Sequence, residues 1–253
     1  MSERHQRVAV VTGATSGIGE ATARTFIDAG IGVVGNGRSD GKLDALETEL
    51  GAAFCGVAGD AADPDVVGRL FSAAEDRFGR LPDIVVVNAG RGLGGPVSDA
   101  DLGQFEDVLR INVNGALALM KDAARRMTPE QEKSFPGTAA DIVIIGSVVG
   151  RHISPFSAVY GASKAAVHSL AEGLRREVAS SGVRVTLVEP GAVLSGFQAS
   201  AGYSDEMVQG FKEKFGPVLT GEDIARAIHF VVTQPPHVHV SDIMVRPTRQ
   251  DYP

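Results

Sequence analysis

Arg7-Val8-Ala9-Val10-Val11-Thr12-Gly13-Ala14-Thr15-Ser16-Gly17-Ile18-Gly19 is the stretch that decides the fold. Arg7 to Thr12 is a short β-branched run of the kind buried on both faces of a parallel sheet. Glycines follow at once, and then an Ala-rich helical stretch runs to Ala29, where Gly30 stops it. Strand, glycine turn and helix in that order set backbone N–H groups and a helix amino terminus against a pyrophosphate. Gly13 permits the tight turn, Gly17 the close approach of the phosphates, and Gly19 the packing of helix on strand. The spacing is G-x-x-x-G-x-G rather than the G-x-G-x-x-G fingerprint. A glycine-rich surface turn is the competing account, and the flanking strand and helix weigh against it.

Working outward, Ile31 to Asn36 reads as a second strand that closes a βαβ unit. An NAD-selective site commonly places an Asp or Glu at the end of this strand, on the ribose 2′-hydroxyl. Here the region is Gly35-Asn36-Gly37-Arg38-Ser39, with no carboxylate and one Arg. A guanidinium pairs with a 2′-phosphate and stacks on adenine, so Arg38 predicts NADP, with NAD as the alternative if Arg38 is only a solvated loop charge.

The rest of the chain keeps the alternation. Helices are expected over Lys42–Leu50 and Asp63–Phe78, with strands over Ala53–Val57 and Asp83–Val87. A long helical stretch follows from Leu102 to Met127, with Asn112, Asn114 and Gly115 midway; two Asn near a Gly are poor helix formers and point to a kink or a bound water there. Thr128 to Asp141 is polar, carries two prolines and reads as a surface insertion. Strands at Ile142–Ile145, Val183–Val188 and His237–Val245 alternate with helices from about Ala158 to Ser181 and from Gly221 to Val232. The segment 192–218 has no long periodic pattern, and a loop of that length in a compact domain is expected to act as a substrate-binding lid. The expectation is one α/β domain over 1–253, a Rossmann-type doubly wound parallel sheet with helices on both faces.

Chemistry concentrates in Ser147 to Lys164, where an apolar strand breaks at Gly146 and a helix begins past Pro155. Tyr160 and Lys164 lie four apart and share a helix face. A phenol titrates near pH ~10, and an ammonium one turn away favours the phenolate and lowers that value. A Ser147 hydroxyl at the strand end can then hold a substrate oxygen against the phenol, which outlines a proton-transfer site. The pair alone is weak evidence, because a core-edge Tyr above a solvated Lys has the same spacing.

Composition bounds the alternatives. Among 253 residues, 43% are apolar and 22% charged, ordinary for a soluble globular protein. A net charge of −7 argues against a nucleic acid or an anionic membrane as main partner. One cysteine, Cys55, excludes an intrachain disulfide and a thiolate metal cluster. No apolar run approaches the ~20 residues of a membrane span, and the polar Met1 to Arg7 does not read as a signal peptide. The expectation is a cytoplasmic protein.

The motifs, in order, are Thr12-Gly13-x-x-x-Gly17-Ile18-Gly19, Asp60, Asn88-Ala89-Gly90, Asn112, Ser147, Tyr160-x-x-x-Lys164 and Pro190-Gly191. On these the sequence resembles the short-chain dehydrogenase/reductases, in the single-domain branch of about this length, over essentially its full extent. Ser147 stands thirteen residues before Tyr160, that family's usual separation. The resemblance implies a parallel sheet of about seven strands and reversible hydride transfer between a nicotinamide cofactor and a carbonyl or alcohol. It implies Tyr160 as acid or base, Lys164 lowering the phenol pKa and holding the nicotinamide ribose, Ser147 orienting the reacting oxygen, and Asn112 holding a water that links Lys164 to solvent. Gly13, Thr15, Ser16, Gly17, Ile18, Gly19, Arg38, Asp60, Asn88, Gly90, Tyr160, Lys164, Pro190, Gly191, Val193 and Ser195 are expected around the cofactor. Ser147, His152, Phe156, Tyr160 and Phe197 are expected around the substrate. A homodimer or homotetramer is also implied, through the helices carrying Asn112 and Tyr160. Ser16 stands where many NADP-preferring members carry a basic residue, which leaves Arg38 alone on that point.

Two further pairs attract notice. His237 and His239 would share a face of the last strand as metal ligands might, but no third ligand is nearby and no metal is expected. Arg91, Arg151 and His152 flank the expected pocket, either as anion-binding groups or as solvated loop charges. The expected function is an NADP(H)-dependent oxidoreductase of a small or medium carbonyl compound. The alternatives are an NAD-linked alcohol, polyol or hydroxy acid dehydrogenase, and a non-catalytic dinucleotide-binding module.

Overall fold

Val8, Ala9, Val10 and Val11 are fully buried, which is what a β-branched run with no polar residue requires. They form β1 (Val8–Val11), an interior strand of a seven-stranded parallel sheet of order β3-β2-β1-β4-β5-β6-β7. The other strands are β2 (Gly32–Gly37), β3 (Phe54–Ala58), β4 (Ile84–Val87), β5 (Ala140–Ile145), β6 (Val183–Pro190) and β7 (Asp242–Val245). The computed structural model describes residues 7–252, apart from the side chains at 199 and 200; the polar segment at the amino terminus lies outside the described residues.

Alternation along the strands separates two cores, because successive side chains point to opposite faces. Val8 and Val10 join Leu70, Phe71, Ile142 and Ile144 on one face. That face is covered by α3 (Pro64–Phe78), α5 (Ala116–Ser134) and α6 (Ala158–Val178). Ala9 and Val11 join Phe26, Val33, Ile224 and Ile228 on the other. There α1 (Gly17–Asp28), α2 (Asp40–Leu50) and α9 (Gly221–Val232) pack. Local signals set the helix ends. Asp63 caps α3 by accepting from Asp65 N, Pro64 fills the first position, and Gly79 ends the helix in the left-handed region at φ 71°.

Strand order reverses between β1 and β4, so the chain leaves these strands in opposite directions and opens a crevice beyond their carboxyl ends. A cavity of about 700 Å³ lies instead at the amino edge, among Arg7, Asp83, Gln131 and Arg184. Ligands of open α/β sheets bind at the carboxyl edge, so size gives this cavity no functional weight. The amino edge is held by charge. Arg184, 5% exposed, donates from Nε and Nη2 to the two oxygens of Asp141 (2.7 and 2.9 Å). Arg7 donates to the same carboxylate (2.7 Å) and to the Val232 carbonyl (2.7 Å).

Four elements depart from the sequence expectation. The long helix is broken into α4 (Leu102–Leu109), a π-turn over Arg110–Gly115, and α5. Helix α5 continues through Pro129 to Ser134, so much of the expected insertion is helical. Burial of Gln131, whose Nε2 donates to the Thr138 carbonyl (2.7 Å), and seating of the Phe135 ring against Gly182 hold this extension. The segment 192–218 contains α7 (Phe197–Ser200) and α8 (Asp205–Phe215). The last strand begins at Asp242, because Val238 N turns back onto the Pro235 carbonyl (2.8 Å). His237 is therefore exposed off the strand and His239 sits against the Val185 carbonyl (3.0 Å). Among the described residues no three His, Cys, Asp or Glu side chains gather as a metal site, and no helix is long and apolar enough to cross a membrane.

Candidate active site

The glycine turn between β1 and α1 is shaped by close approach. A Cβ on Gly19 would lie 2.2 Å from the Gly13 carbonyl oxygen, and one on Gly17 would lie 3.0 Å from Ser195 Cβ. Gly13 and Gly17 also have positive φ (68° and 55°), which side chains rarely adopt. Asn88, just past β4, donates from Nδ2 to the Thr12 carbonyl (2.8 Å), and the Thr12 hydroxyl accepts from Asn88 N and Ala89 N (3.0 Å each). These bonds lock the ends of β1 and β4 together at the switch point. Ser16 precedes α1 with no side-chain cap, so the first-turn N–H groups face the crevice without a side-chain acceptor. This cradle fits a dinucleotide pyrophosphate: positive φ, backbone that only Gly allows, and uncapped donors.

Thr15 packs against Gly37 at the end of β2. Asn36 is buried, and its Nδ2 donates to the Val57 and Gly59 carbonyls (3.0 and 3.1 Å), joining β2 to β3. Arg38 is exposed beyond it, with no hydrogen bond or ion pair among the described residues. Asp60 accepts from Ala62 N (2.9 Å) and pairs with Arg110 (2.7 Å). These bonds, with Arg38 nearby, hold its carboxyl below the usual range. Pro190 ends β6, and Gly191 N donates to the Val245 carbonyl (2.8 Å). Ser195 N donates to Gln198 Oε1 (3.0 Å), while Gln198 Nε2 donates to the Val193 carbonyl (2.5 Å).

At the end of β5, Ser147 and α6 face each other. Tyr160 is buried, and its ring centroid lies 5.5 Å from that of Phe197. Burial pushes the phenol well above its ordinary value and nearby Tyr203 adds to this, while a hydrogen bond with Ser147 works in the other direction. Lys164 is also buried, its Nζ donating to the Ile145 carbonyl (2.7 Å) and standing 5.9 Å from the Tyr160 ring centroid. Burial brings its ammonium down to about 8. The spacing argument expects Lys164 to lower the phenol; in the fold the ammonium turns to a backbone carbonyl, and desolvation outweighs it. The protein's own groups thus leave Tyr160 protonated at neutral pH.

Asn112 sits in the π-turn, and its side chain is fully used. Oδ1 accepts from Arg91 N (2.9 Å), and Nδ2 donates to the Arg91 carbonyl (2.9 Å) and to Ser163 Oγ (3.1 Å). Ser163 in turn donates to the Tyr160 carbonyl (2.7 Å). Gly90 packs against Asn112 Oδ1, so the loop after β4, the π-turn and α6 form one body. His152 and Phe156 are exposed on the turn that leads into α6. Arg91 pairs with Asp107 (3.0 Å), and Arg151 grips the buried Glu189 from Nε and Nη2 (3.0 and 2.5 Å).

Against known proteins, the model of the family described as short chain dehydrogenase matches residues 7–205. The chain belongs to the short-chain dehydrogenase family. An uncharacterized oxidoreductase of Staphylococcus aureus is 34% identical over 242 residues, covering 95% of this chain and 97% of that protein. The closed form of serine dehydrogenase complexed with NADP+ matches at TM-score 0.87 and 29% identity, covering 97% of this chain and 96% of that one. The 3-ketoacyl-(acyl-carrier-protein) reductase from Brucella melitensis complexed with NADH matches at TM-score 0.87 and 26% identity, covering 98% and 99%. As a short-chain dehydrogenase, the protein is an oxidoreductase.

In this short-chain dehydrogenase the buried ammonium has a consequence for stability. The folded pKa of Lys164 falls from 10.5 to about 8. Between those values the unfolded chain holds more protons, so stability rises with pH there and the burial penalty is fully felt below 8. Denaturant titrations of wild type and Lys164→Met from pH 7 to 11 are expected to show wild type gaining on the variant across that window. Parallel curves would contradict the depressed value.

Sequence reasoning missed Gln198, Ser163, Gln250 and the partner of Glu189. Gln250 Oε1 accepts from Ala192 N (2.8 Å) and sits against Gly191, tying the carboxyl end to the segment after β6. The one readable signal was Glu189, a carboxylate ending an otherwise apolar strand, which calls for a cationic partner.

Proposed function

We propose that this protein is a cytoplasmic NADP(H)-dependent oxidoreductase that interconverts a small or medium carbonyl compound and its alcohol. The observation that carries the reading is the buried Tyr160–Lys164 pair beside the Ser147 hydroxyl, at the same carboxyl edge as the glycine turn. A nicotinamide dinucleotide supplies the hydride when bound; Gly13, Thr15, Ser16, Gly17, Ile18 and Gly19 would hold its phosphates, and Arg38 its 2′-phosphate. Asp60, Asn88, Gly90, Pro190, Gly191, Val193 and Ser195 border the same crevice and complete that cradle.

The chain's own residues do the rest. Tyr160, kept protonated by burial, donates its phenolic proton to the carbonyl oxygen in the reductive direction and takes it back in the oxidative one. Ser147 donates to the same oxygen and fixes its distance from the phenol. Lys164 places positive charge one helical turn away, which stabilises the phenolate left after proton transfer. Asn112 and Ser163 fix the start of α6. Phe197 forms the apolar wall over Tyr160, and the segment 192–218 acts as the lid. Arg91 and Arg151 are committed to Asp107 and Glu189, which supports an uncharged reacting carbonyl over an anion held by either guanidinium. His152 and Phe156 belong to the rim. Assembly as a homodimer or homotetramer through α5 and α6 is part of the same reading, supported by half-exposed Leu117 on α5.

Paired binding of NADPH and NADH to wild type and Arg38→Ala tests the cofactor, followed by turnover on a panel of carbonyls and alcohols. Wild type is expected to prefer NADPH by tenfold or more, about 1.4 kcal/mol, and Arg38→Ala to erase that preference without weakening NADH. Equal or tighter NADH binding by wild type would make the enzyme an NAD-linked dehydrogenase.

A further inference from the structure

Tyr160, Lys164 and His168 stand at four-residue intervals on α6 and form one stripe on the face turned toward the end of β5. Each meets a successive point of the chain leaving that strand. Lys164 Nζ donates to the Ile145 carbonyl (2.7 Å), the His168 ring meets Gly146, Ser147 N and Gly150, and Tyr160 meets the Ser147 side chain. The turn is built around the imidazole. A Cβ on Gly146 would lie 2.4 Å from His168 Nε2, and one on Gly150 would lie 2.5 Å from Cε1. Ser147 N donates to His168 Nε2 (3.2 Å), so that nitrogen carries no proton and the ring proton is on Nδ1. Nδ1 faces Glu189 Oε2 at 3.8 Å. Glu189 is fully buried and gripped by Arg151 through two bonds (3.0 and 2.5 Å), and Asp242 lies 3.7 Å from the same guanidinium. Burial, with Lys164 and Arg151 nearby, takes His168 down to about 4, which agrees with a neutral ring.

We propose that His168 is a positioning residue for the reaction: its Nε2 accepts the Ser147 N–H, which holds the ring in the Nδ1–H tautomer and fixes the Ser147 hydroxyl against Tyr160, while Glu189, clamped by Arg151, lines the other side of the ring. The inference rests on the reading of Ser147 as the group that holds the reacting oxygen. It gives a function to a carboxylate that is costly to bury and that no substrate contact explains. It also explains why Arg151 is unavailable to a substrate: the guanidinium is the outer end of a chain running Arg151, Glu189, His168, Ser147. A neutral imidazole whose one nitrogen accepts a backbone N–H has its tautomer set by that bond.

The test uses the full-length protein and two readouts. Nitrogen-15 NMR of the ring at pH 7 is expected to show unprotonated Nε2 and protonated Nδ1; an Nε2–H tautomer or an imidazolium would overturn the proposal, whatever the enzyme's substrate proves to be. Kinetics then compare wild type, His168→Leu and His168→Gln with NADPH and the best carbonyl of the panel. Gln presents an acceptor oxygen near the position of Nε2, and Leu presents none. His168→Leu is expected to lower kcat about tenfold or more with NADPH affinity unchanged, and His168→Gln to restore most of it. Wild-type kcat in His168→Leu, or equal losses in both variants, would reduce His168 to a packing residue. If His168→Leu does not fold, the NMR arm and the kcat of His168→Gln still decide. If no carbonyl is turned over by wild type, the proposed function fails while the tautomer result stands on its own.

Discussion

Replacing Tyr160 with phenylalanine is expected to lower turnover by about 10²–10⁴-fold, the range that general acid–base catalysis contributes. The variant removes one oxygen and keeps the ring, so the contact with Phe197 at 5.5 Å survives. NADPH affinity and thermal midpoint are therefore expected to stay close to wild type. The loss should fall on kcat, because the phenolic proton is needed in the transition state and not for binding. Single-turnover kinetics beside a dinucleotide fluorescence titration separate the two quantities. A variant that kept more than a tenth of wild-type turnover would transfer the acid role to another donor. A variant that lost the dinucleotide as well would mean that the phenol is part of the binding surface alone.

The second large effect lies at the opposite edge of the sheet. Asp141→Ala is expected to destabilise the fold by about 3–5 kcal/mol, the usual cost of breaking a buried ion pair from one side. For a chain of this size that corresponds to a midpoint lower by roughly 6–20 °C. Arg184 is responsible for most of it: 5% exposed, it would keep its backbone acceptors and lose the carboxylate that receives two of its N–H groups. Arg7 loses the same partner. A double variant with Arg184→Met removes the orphaned charge and is expected to recover part of the loss, a coupling that a double-mutant cycle measures. Urea denaturation of the four proteins supplies the numbers. Additive losses would show that the carboxylate and the guanidinium do not act as a unit.

Much of the molecule was legible in its sequence for reasons that particular residues make plain. The uninterrupted Val8–Val11 run could only be a strand covered on both faces, and Gly13, Gly17 and Gly19 then had one geometry available to them. Ser147 and Tyr160 were found by spacing, and the fold places them together. Other features depended on distances that spacing does not carry. Asn112 and Gly115 signalled a local departure from a regular helix, but not that it would be a π-turn ending at Gly115. Helix α8 is short and mostly exposed; its signals are Met207, Val208, Phe211 and Phe215 at three- and four-residue spacings, the Ser204 cap, Asp205 and Glu206 in its first turn, and Lys212 and Lys214 in its last. Arg151 was left as either an anion-binding group or a solvated loop charge; Glu189 at the end of an apolar strand called for a cation, but its spacing from Arg151 did not say which one. The phenol was misjudged in sign, since the nearby ammonium is visible in the sequence and the depth of burial is not.

The stitch between Arg7 and the carbonyl of Val232 spans 225 residues of chain. Ribosomes add roughly 5–20 residues per second, so the two ends of that bond emerge on the order of tens of seconds apart. β1, next to the central strand of the sheet, is thus made well before this bond can anchor it. The nascent polypeptide must hold this apolar strand without that fastening while the intervening residues are translated. That fastening therefore cannot form until Val232 has been translated.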